Sequence, residues 1–126
     1  MTLRTYFYTM WGTMGGLEQL VVMAVLHAGD EAYGARIWEE IRDRARRPVS
    51  LGAVYTTLAR LEEKGHLRSR RGEPHPERGG RPRRYYAVEA SGIEALRDAL
   101  AEVDGMRAGI DLEMGPNQPG WAGGPA

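Results

Sequence analysis

The chain has 126 residues, 42% of them hydrophobic, and its 17 basic and 17 acidic side chains balance to a net charge of zero. This length predicts one small domain. The chain has no cysteine, which excludes disulfide and thiolate chemistry, and no run approaches the roughly 18 apolar residues of a membrane span, so we interpret the protein as cytoplasmic.

The neutral total hides a segregation of charge along the chain. Residues 1–35 carry a net charge of −2, residues 36–88 carry +7, and residues 89–126 carry −5. A positive middle between negative ends indicates one surface that meets a polyanion. The alternative is a solvated surface with uneven charge.

Residues 1–16 form an N-terminal extension of uncertain role, with no regular hydrophobic period. Two interpretations stay open. Met14 is the true start and the preceding residues are an artefact or a loose extension, or the aromatic residues of this segment pack against a partner. Those aromatic residues are Tyr6, Phe7, Tyr8 and Trp11.

Three helices are predicted next, over 17–28, 33–46 and 50–64. The first is apolar on nearly every side, as expected of a short helix at the centre of a small domain. The second repeats apolar residues every four positions and ends before Pro48.

The third helix has an apolar stripe with helical spacing, formed by Leu51, Val54, Leu58 and Leu61. Ser50 is the predicted N-cap and Gly65 the predicted C-cap.

After Gly65 the pattern changes to strand, loop and strand. HLRSRRGE is compatible with a strand, and RRYYAVE over 83–89 is a stronger one, with Tyr86 and Val88 on one face. Between them, PHPERGGRPR is too rich in proline and glycine for a tight turn, which predicts a long hairpin loop.

A last helix is predicted over 90–105, with Ser91 and Glu94 in the register of a capping box. Its apolar stripe has two interpretations. It is the interface of a homodimer, or it folds back onto the first helix of its own chain. The stripe consists of Ile93, Leu96, Leu100 and Val103. The Gly/Pro-rich residues 106–126 are predicted to be a flexible tail.

The order of elements predicts a mainly α fold with a small β-hairpin (α+β), arranged as a winged helix-turn-helix over 17–89 and followed by a C-terminal dimerisation helix. In this arrangement the third helix presents its outward face to the major groove of DNA. Hydroxyl groups and arginine there suit phosphates and base edges, although Tyr55 has the alternative of burying its ring between helices. The predicted DNA-contacting residues of this helix are Ser50, Gly52, Tyr55, Thr56, Thr57 and Arg60.

Four arginines surround Gly79-Gly80 in the hairpin loop and are the predicted DNA contacts of the wing, over 74–84. The planar donor fork of arginine matches a phosphate and can enter a narrow minor groove. The alternative is an ordinary solvated loop. These residues are Arg78, Arg81, Arg83 and Arg84.

Other classes of function have weaker support. An enzyme is not expected, because no Gly-rich phosphate loop follows a strand and the three histidines lack metal-ligand spacing, so we predict no cofactor and no metal. A winged helix that binds only protein is the second alternative, but it does not explain the clustered arginines of the wing.

Three runs resemble the PadR-type transcriptional regulators: LEQLVVMAVLHAGDEAYGARIWEEI, SLGAVYTTLARLEEKGHLRSR and ERGGRPRRYYAVEASGIEAL. The resemblance covers about residues 17–100. It implies a homodimer that binds a pseudo-palindromic operator on double-stranded DNA, with repression relieved by a small-molecule effector or another signal.

Two departures narrow what the resemblance implies. Many members carry a second aromatic residue where this chain has Ala35, so a phosphate contact there would rest on Tyr33. The C-terminal helix has no tryptophan, so stacking of an aromatic effector between tryptophans at the dimer interface is not expected.

Overall fold

The computed structural model describes residues 14–74 and 76–122. The aromatic residues of the predicted N-terminal extension, Tyr6, Phe7, Tyr8 and Trp11, lie outside the described residues. Met14 is described, and its side chain is buried against the core. The last residues of the predicted extension therefore belong to the packed domain.

Three helices open the described fold, as the sequence predicts. Helix α1 spans Gly16–Ala28, and helix α2 spans Gly34–Glu40 and continues through one π-helical turn over Ile41–Ala45. Helix α3 spans Leu51–Glu63.

A two-stranded antiparallel sheet follows α3 and forms the predicted wing. Strand β1 spans Leu67–Arg71 and strand β2 spans Arg84–Val88, with Leu67 paired to Val88 at one end and Arg71 to Arg84 at the other. Tyr86 and Val88 pack against the core, so the alternation predicted for β2 is confirmed. The mainly α fold with a small hairpin is confirmed as well.

The core lies between α1, α2 and α3, and the last helix closes it. Helix α4 spans Ala90–Arg107, two residues beyond the predicted end. In its first half it contributes Ala95, Leu96 and Ala99 to the same core as α1. The largest fully buried side chains are Val21, Val22, Ile37, Val54, Leu58 and Leu61.

The predicted apolar stripe of α3 is wrong at its first member. Val54, Leu58 and Leu61 are buried, but Leu51 is exposed. Leu51 is the first residue of the helix, so it lies beyond the part of α3 that α1 and α2 cover.

The predicted capping box of α4 is also wrong. The helix begins at Ala90 with Glu89 as N-cap, and Ser91 is buried. The Ser91 hydroxyl donates to the Gly65 carbonyl at 2.8 Å and lies 3.2 Å from His66 Nδ1. The Ser91 hydroxyl therefore bonds to the turn after α3 and does not cap α4 as the sequence predicts.

An ion pair between a buried carboxylate and a half-exposed lysine joins α1 to the end of α3. Glu18 Oε2 accepts a hydrogen bond from Lys64 Nζ at 2.9 Å, and Glu18 Oε1 accepts one from the Gly15 N–H at 3.1 Å. Burial raises the pKa of Glu18, but these two hydrogen bonds and the charges of Lys64 and Arg60 leave the pKa below its ordinary value. The folded state therefore favours the ionised carboxylate.

We expect Glu18→Gln to lower the free energy of unfolding at neutral pH, and the difference from the wild type to shrink as the pH falls. Because the folded state lowers the pKa of Glu18, its carboxylate stabilises the fold above the ordinary value of 4.5 and loses that effect as the pH falls through the lowered value. Urea denaturation at several pH values between 7 and 3 measures this.

The control is Glu39→Gln, which removes an exposed carboxylate on α2 and should change stability by less than about 0.5 kcal/mol. A stability difference for Glu18→Gln that stays constant across this pH range would contradict the ionised pair.

Candidate nucleic-acid interface

Helix α3 exposes a strip of small and polar residues on the face opposite the core. Gly52, Thr56 and Ala59 lie along the middle of this face. Tyr55 flanks this face on the side of α2. Arg60 is exposed on the side of α1, where its charge lowers the pKa of Glu18. Ala59 is not among the predicted DNA contacts, although its spacing of three from Thr56 and seven from Gly52 places it on the outward face.

The start of this strip is held in place by its N-cap. Ser50 Oγ accepts a hydrogen bond from the Ala53 N–H at 3.0 Å. The cap predicted at Ser50 is confirmed, and it satisfies one of the free backbone donors at the helix start.

Thr57 does not lie on the outward face, so that prediction is wrong. Its side chain is only 4% exposed, and its Oγ1 donates to the Ala53 carbonyl at 2.8 Å. The helical period predicts this burial, because Thr57 stands three residues after Val54 and four before Leu61, which are both buried. A hydroxyl bonded within its own helix is not available to DNA.

Tyr55 combines the two roles that the sequence left open. Its ring packs against the backbone of Gly34 at the start of α2, where a Cβ atom would lie 2.4 Å from the ring. The residue nevertheless stays 48% exposed. Glycine at position 34 therefore lets Tyr55 sit at the junction of α2 and α3 and still meet solvent.

The wing is docked beside this junction through an array of cations and aromatic rings. The Arg83 guanidinium lies 3.8 Å from the centroid of the Tyr33 ring, and the rings of Tyr33 and Tyr85 meet edge to face at 5.9 Å. Arg70 lies over the other ring, 4.7 Å from the centroid of Tyr85. Such contacts are attractive and fix the direction of each side chain.

Arg83 is therefore directed toward the protein rather than fully outward. A hydrogen bond to Tyr85 raises the pKa of the Arg83 guanidinium against the opposing effect of burial, and the negative charge of Glu31 raises it further. The guanidinium remains a permanent positive charge at the base of the wing.

The second wing arginine that the structure engages is Arg84. It donates to Ser69 Oγ at 3.0 Å, and Ser69 donates in turn to Glu62 Oε2 at 2.6 Å. This chain of hydrogen bonds ties the hairpin to the last turn of α3. The side chain of Arg78 lies outside the described part of the chain, and Arg81 is exposed beside the hairpin.

These elements enclose a cleft of about 450 Å³ between the wing and the two helices. The cleft brings together Tyr33, Tyr55, Arg81, Arg83 and Arg84, which come from three separate parts of the sequence. Gly34 and Pro82 complete its wall. A cleft lined by cations and phenols can accept an anion, with arginine forks and tyrosine hydroxyls as donors.

The four residues predicted at the dimer interface divide between two surfaces. Leu96 is only 7% exposed and Ile93 is half-buried, whereas Leu100 is 36% and Val103 is 55% exposed. The start of the stripe therefore folds back onto the same protomer, as the second interpretation of the sequence expects. Only the C-terminal part of the stripe is left for a partner.

Two kinds of site are absent from the described part of the chain. No helix within residues 14–74 and 76–122 is both long enough and apolar enough to cross a membrane. The same residues hold no cluster of three or more His, Cys, Asp or Glu side chains with the proximity that a metal ion requires.

We expect Gly34→Ala to displace Tyr55 from the cleft and to lower the free energy of unfolding by about 1 kcal/mol, because the added methyl group overlaps the ring. The matched control is Gly52→Ala in the first turn of α3. An added Cβ there would lie 3.9 Å from Ser50 Oγ, an ordinary contact distance, so this change should stabilise the helix by about 0.5–1 kcal/mol. Thermal unfolding of both variants measures the opposite signs, and two equal effects would contradict the contact between Tyr55 and Gly34.

The sequence matches the model of the transcriptional regulator PadR-like family over residues 22–98. Among solved structures, the fold is similar to a PadR family transcriptional regulator from Eggerthella lenta, with 26% identity, a TM-score of 0.63, and coverage of 80% of this chain and 83% of that one. It also resembles a PadR family transcription regulator from Clostridium difficile, with 23% identity, a TM-score of 0.61, and coverage of 79% of this chain and 100% of that one. No curated protein matches the chain.

The similarity to the Clostridium difficile protein supports the fold alone, whereas the family match spans the second half of α1, all of α2 and α3, the wing and the first half of α4. The chain belongs to the PadR-like family of transcriptional regulators and is a DNA-binding regulator of transcription.

Proposed function

We propose that this regulator is a sequence-specific repressor that binds a pseudo-palindromic operator as a homodimer, through α3 and the wing. The observation that carries the proposal is that the exposed strip of α3 and the cationic cleft of the wing form one continuous surface. Repression itself is supported by the resemblance to PadR-type regulators.

The chemistry of the strip supports insertion of α3 into the major groove. Gly52 and Ala59 have no bulky side chain, so the helix backbone can approach the base edges closely. Thr56 can donate to base acceptors or place its methyl group against thymine, and Arg60 can bond guanine. These side chains are assigned to sequence reading.

The wing supports a different role, which is contact with the phosphate backbone. Arg81 and Arg84 are exposed at the cleft, next to the phenols of Tyr33 and Tyr55. Arginine and tyrosine donors to phosphate oxygens position a protein on the duplex without reading its sequence. These residues are assigned to affinity and to its salt dependence.

The second half of α4 supports dimerisation. Leu100, Val103 and Met106 follow one another at spacings of three and are all exposed. An apolar row on a helix of this kind is typical of a protein interface. A two-fold dimer would place two copies of α3 at half-sites about one DNA turn apart, which is the reason for a pseudo-palindromic operator.

We expect wing and helix substitutions to change DNA binding in different ways. Arg81→Ala should weaken binding to all sequences alike and reduce the salt slope by about 0.9 for each phosphate that the variant no longer neutralises, whereas Thr56→Ala or Arg60→Ala should change the preference among operators. The measurement is fluorescence anisotropy on the DNA upstream of the gene, with unrelated DNA as competitor, at two salt concentrations.

Thr57→Val is the matched control, since it alters the neighbouring threonine on the buried side of α3 and should leave operator preference unchanged. Salt slope and affinity that do not respond to Arg81→Ala would contradict the wing assignment. Absence of binding to any DNA at low salt would instead favour a winged helix that binds only protein.

We expect Val103→Glu to convert the dimer to a monomer, because it places a charge in the middle of the exposed apolar row. Light scattering coupled to size-exclusion chromatography measures the mass, and Glu102→Ala at the adjacent exposed position is the control. A Val103→Glu protein that keeps the mass of a dimer would show that the interface lies elsewhere.

A further inference from the structure

The linker between α2 and α3 holds two arginines that the proposed surface does not use. The π-helical turn ends just before Arg46, and Arg47 follows before Pro48. Both arginine side chains are exposed. Neither makes an ion pair with an acidic residue within the part of the chain that the structure describes.

The neighbouring cations on α2 and the turn all form ion pairs, and Arg36 lies 3.8 Å from Glu39 in addition to its pair with Glu40. Arg36 and Arg44 both pair with Glu40, at 3.0 Å and 2.6 Å, and Arg42 pairs with Asp43 at 2.7 Å. The positive charge left over on this side of the domain is therefore concentrated at Arg46 and Arg47.

The linker holds these two cations in a defined position. The Val49 carbonyl accepts a hydrogen bond from Trp38 Nε1 at 2.8 Å, and Ser50 caps α3 immediately afterwards. The Arg47 guanidinium lies beside the start of α1, 3.9 Å from the position of a Cβ on Gly16. The backbone that carries the two arginines is therefore fixed by hydrogen bonds on its C-terminal side, at Val49 and Ser50.

Arg46 also has an unusual backbone conformation. Its φ of 54° and ψ of 30° are left-handed, and it is the one non-glycine residue with a positive φ in the described part of the chain. Glycine is the residue that adopts this conformation after a helix at least cost. A large cationic side chain at that position carries a conformational cost that glycine would avoid.

The linker leads directly into the end of α3 that would enter the groove. Leu51 and Gly52 are exposed in that first turn. When the N-terminal residues of a recognition helix contact base edges, the segment immediately before it lies next to the sugar-phosphate backbone.

The position of the linker complements that of the wing. The cleft with Tyr33 and Arg83 lies at the start of α2, and Arg46 follows the end of the turn that continues α2. The seven residues of α2 at the α-helical rise separate the two cationic sites by about 10 Å, and the π-helical turn adds to this separation. Because the major groove is about 12 Å wide, one site can contact each of its two phosphate rows.

We propose that Arg46 and Arg47 form a second phosphate-binding site, which contacts the DNA backbone on the side of α3 opposite the wing. The inference rests on the proposed function, since it takes α3 to be the helix in the groove. It adds a site to that function and makes the linker, as well as the wing, responsible for the salt dependence of binding.

The test uses the full chain and two 40-base-pair duplexes, one from the DNA upstream of the gene and one unrelated. The variants are Arg46→Gly, Arg47→Ala and the double substitution. Arg97→Ala, which removes an exposed arginine from α4, is the charge-matched control. Anisotropy at four salt concentrations gives the affinity and the salt slope for each protein.

We expect each linker substitution to weaken binding to both duplexes by roughly tenfold and to reduce the salt slope by about 0.9 for each phosphate that is no longer neutralised. Arg97→Ala should leave both quantities unchanged. Arg46→Gly should also raise the melting temperature by about 2–5 °C, because glycine relieves the left-handed backbone. Weaker binding by a more stable protein is a result that misfolding does not produce.

The other outcomes distinguish failure of the second phosphate site from failure of the proposed DNA-binding function. If the wild type binds, Arg81→Ala weakens binding and the linker variants behave like the wild type, the second phosphate site is wrong and the proposed function stands. If the wild type binds neither duplex at low salt, the proposed function fails and the inference fails with it.

Discussion

The position of the wing depends on one backbone connection, which joins β2 to the segment before α2. The Tyr86 N–H donates to the Ala32 carbonyl at 2.9 Å, and Tyr33 forms an isolated bridge with Tyr85. A two-stranded hairpin is marginally stable by itself in water, so the body of the domain must hold it. The bridge, together with Tyr86 and Val88 in the core, sets where the cationic cleft lies relative to α3. The hydrogen bonds from Arg84 through Ser69 to Glu62 add a second link, which joins the hairpin to α3.

The distribution of ion pairs explains how a chain with no net charge can bind a polyanion. Several acidic residues are paired with particular cations, as in the pairs of Glu18 with Lys64 and of Glu40 with Arg36 and Arg44. The hydrogen bond from Arg44, opposed by burial, leaves the pKa of Glu40 below its ordinary value, so this carboxylate also stays charged. Exposed cations of the linker, of α3 and of the wing, such as Arg47, Arg60 and Arg84, lie around α3. Local potential at that surface, rather than the net charge, therefore governs attraction to DNA.

Helix α4 has two structural roles along its length. Ala95, Leu96 and Ala99 in its first half close the core over α1. The start of the helix is set by close packing, because a Cβ on Gly92 would lie 2.4 Å from the His66 carbonyl. The second half extends past the core with its apolar row exposed, so the same helix can anchor in one protomer and present an interface to another.

The sequence by itself determined the helices, the strands and their order, because those depend on the local period of apolar residues and on caps such as Ser50. It also identified the two segments that meet at the candidate interface, since the exposed residues of α3 and the arginines of the wing are each evident locally. Even the burial of Thr57 follows from the helical period, so that error was one of interpretation.

Only the tertiary structure decided which partner each versatile side chain has. Tyr55 packs on Gly34, Arg83 turns onto Tyr33, Ser91 bonds to the turn after α3, and Leu96 joins the core. Each of these contacts joins residues that are far apart in the chain. A phenol, a guanidinium or a hydroxyl has several acceptable partners, and the choice among them is made by packing that no local pattern encodes.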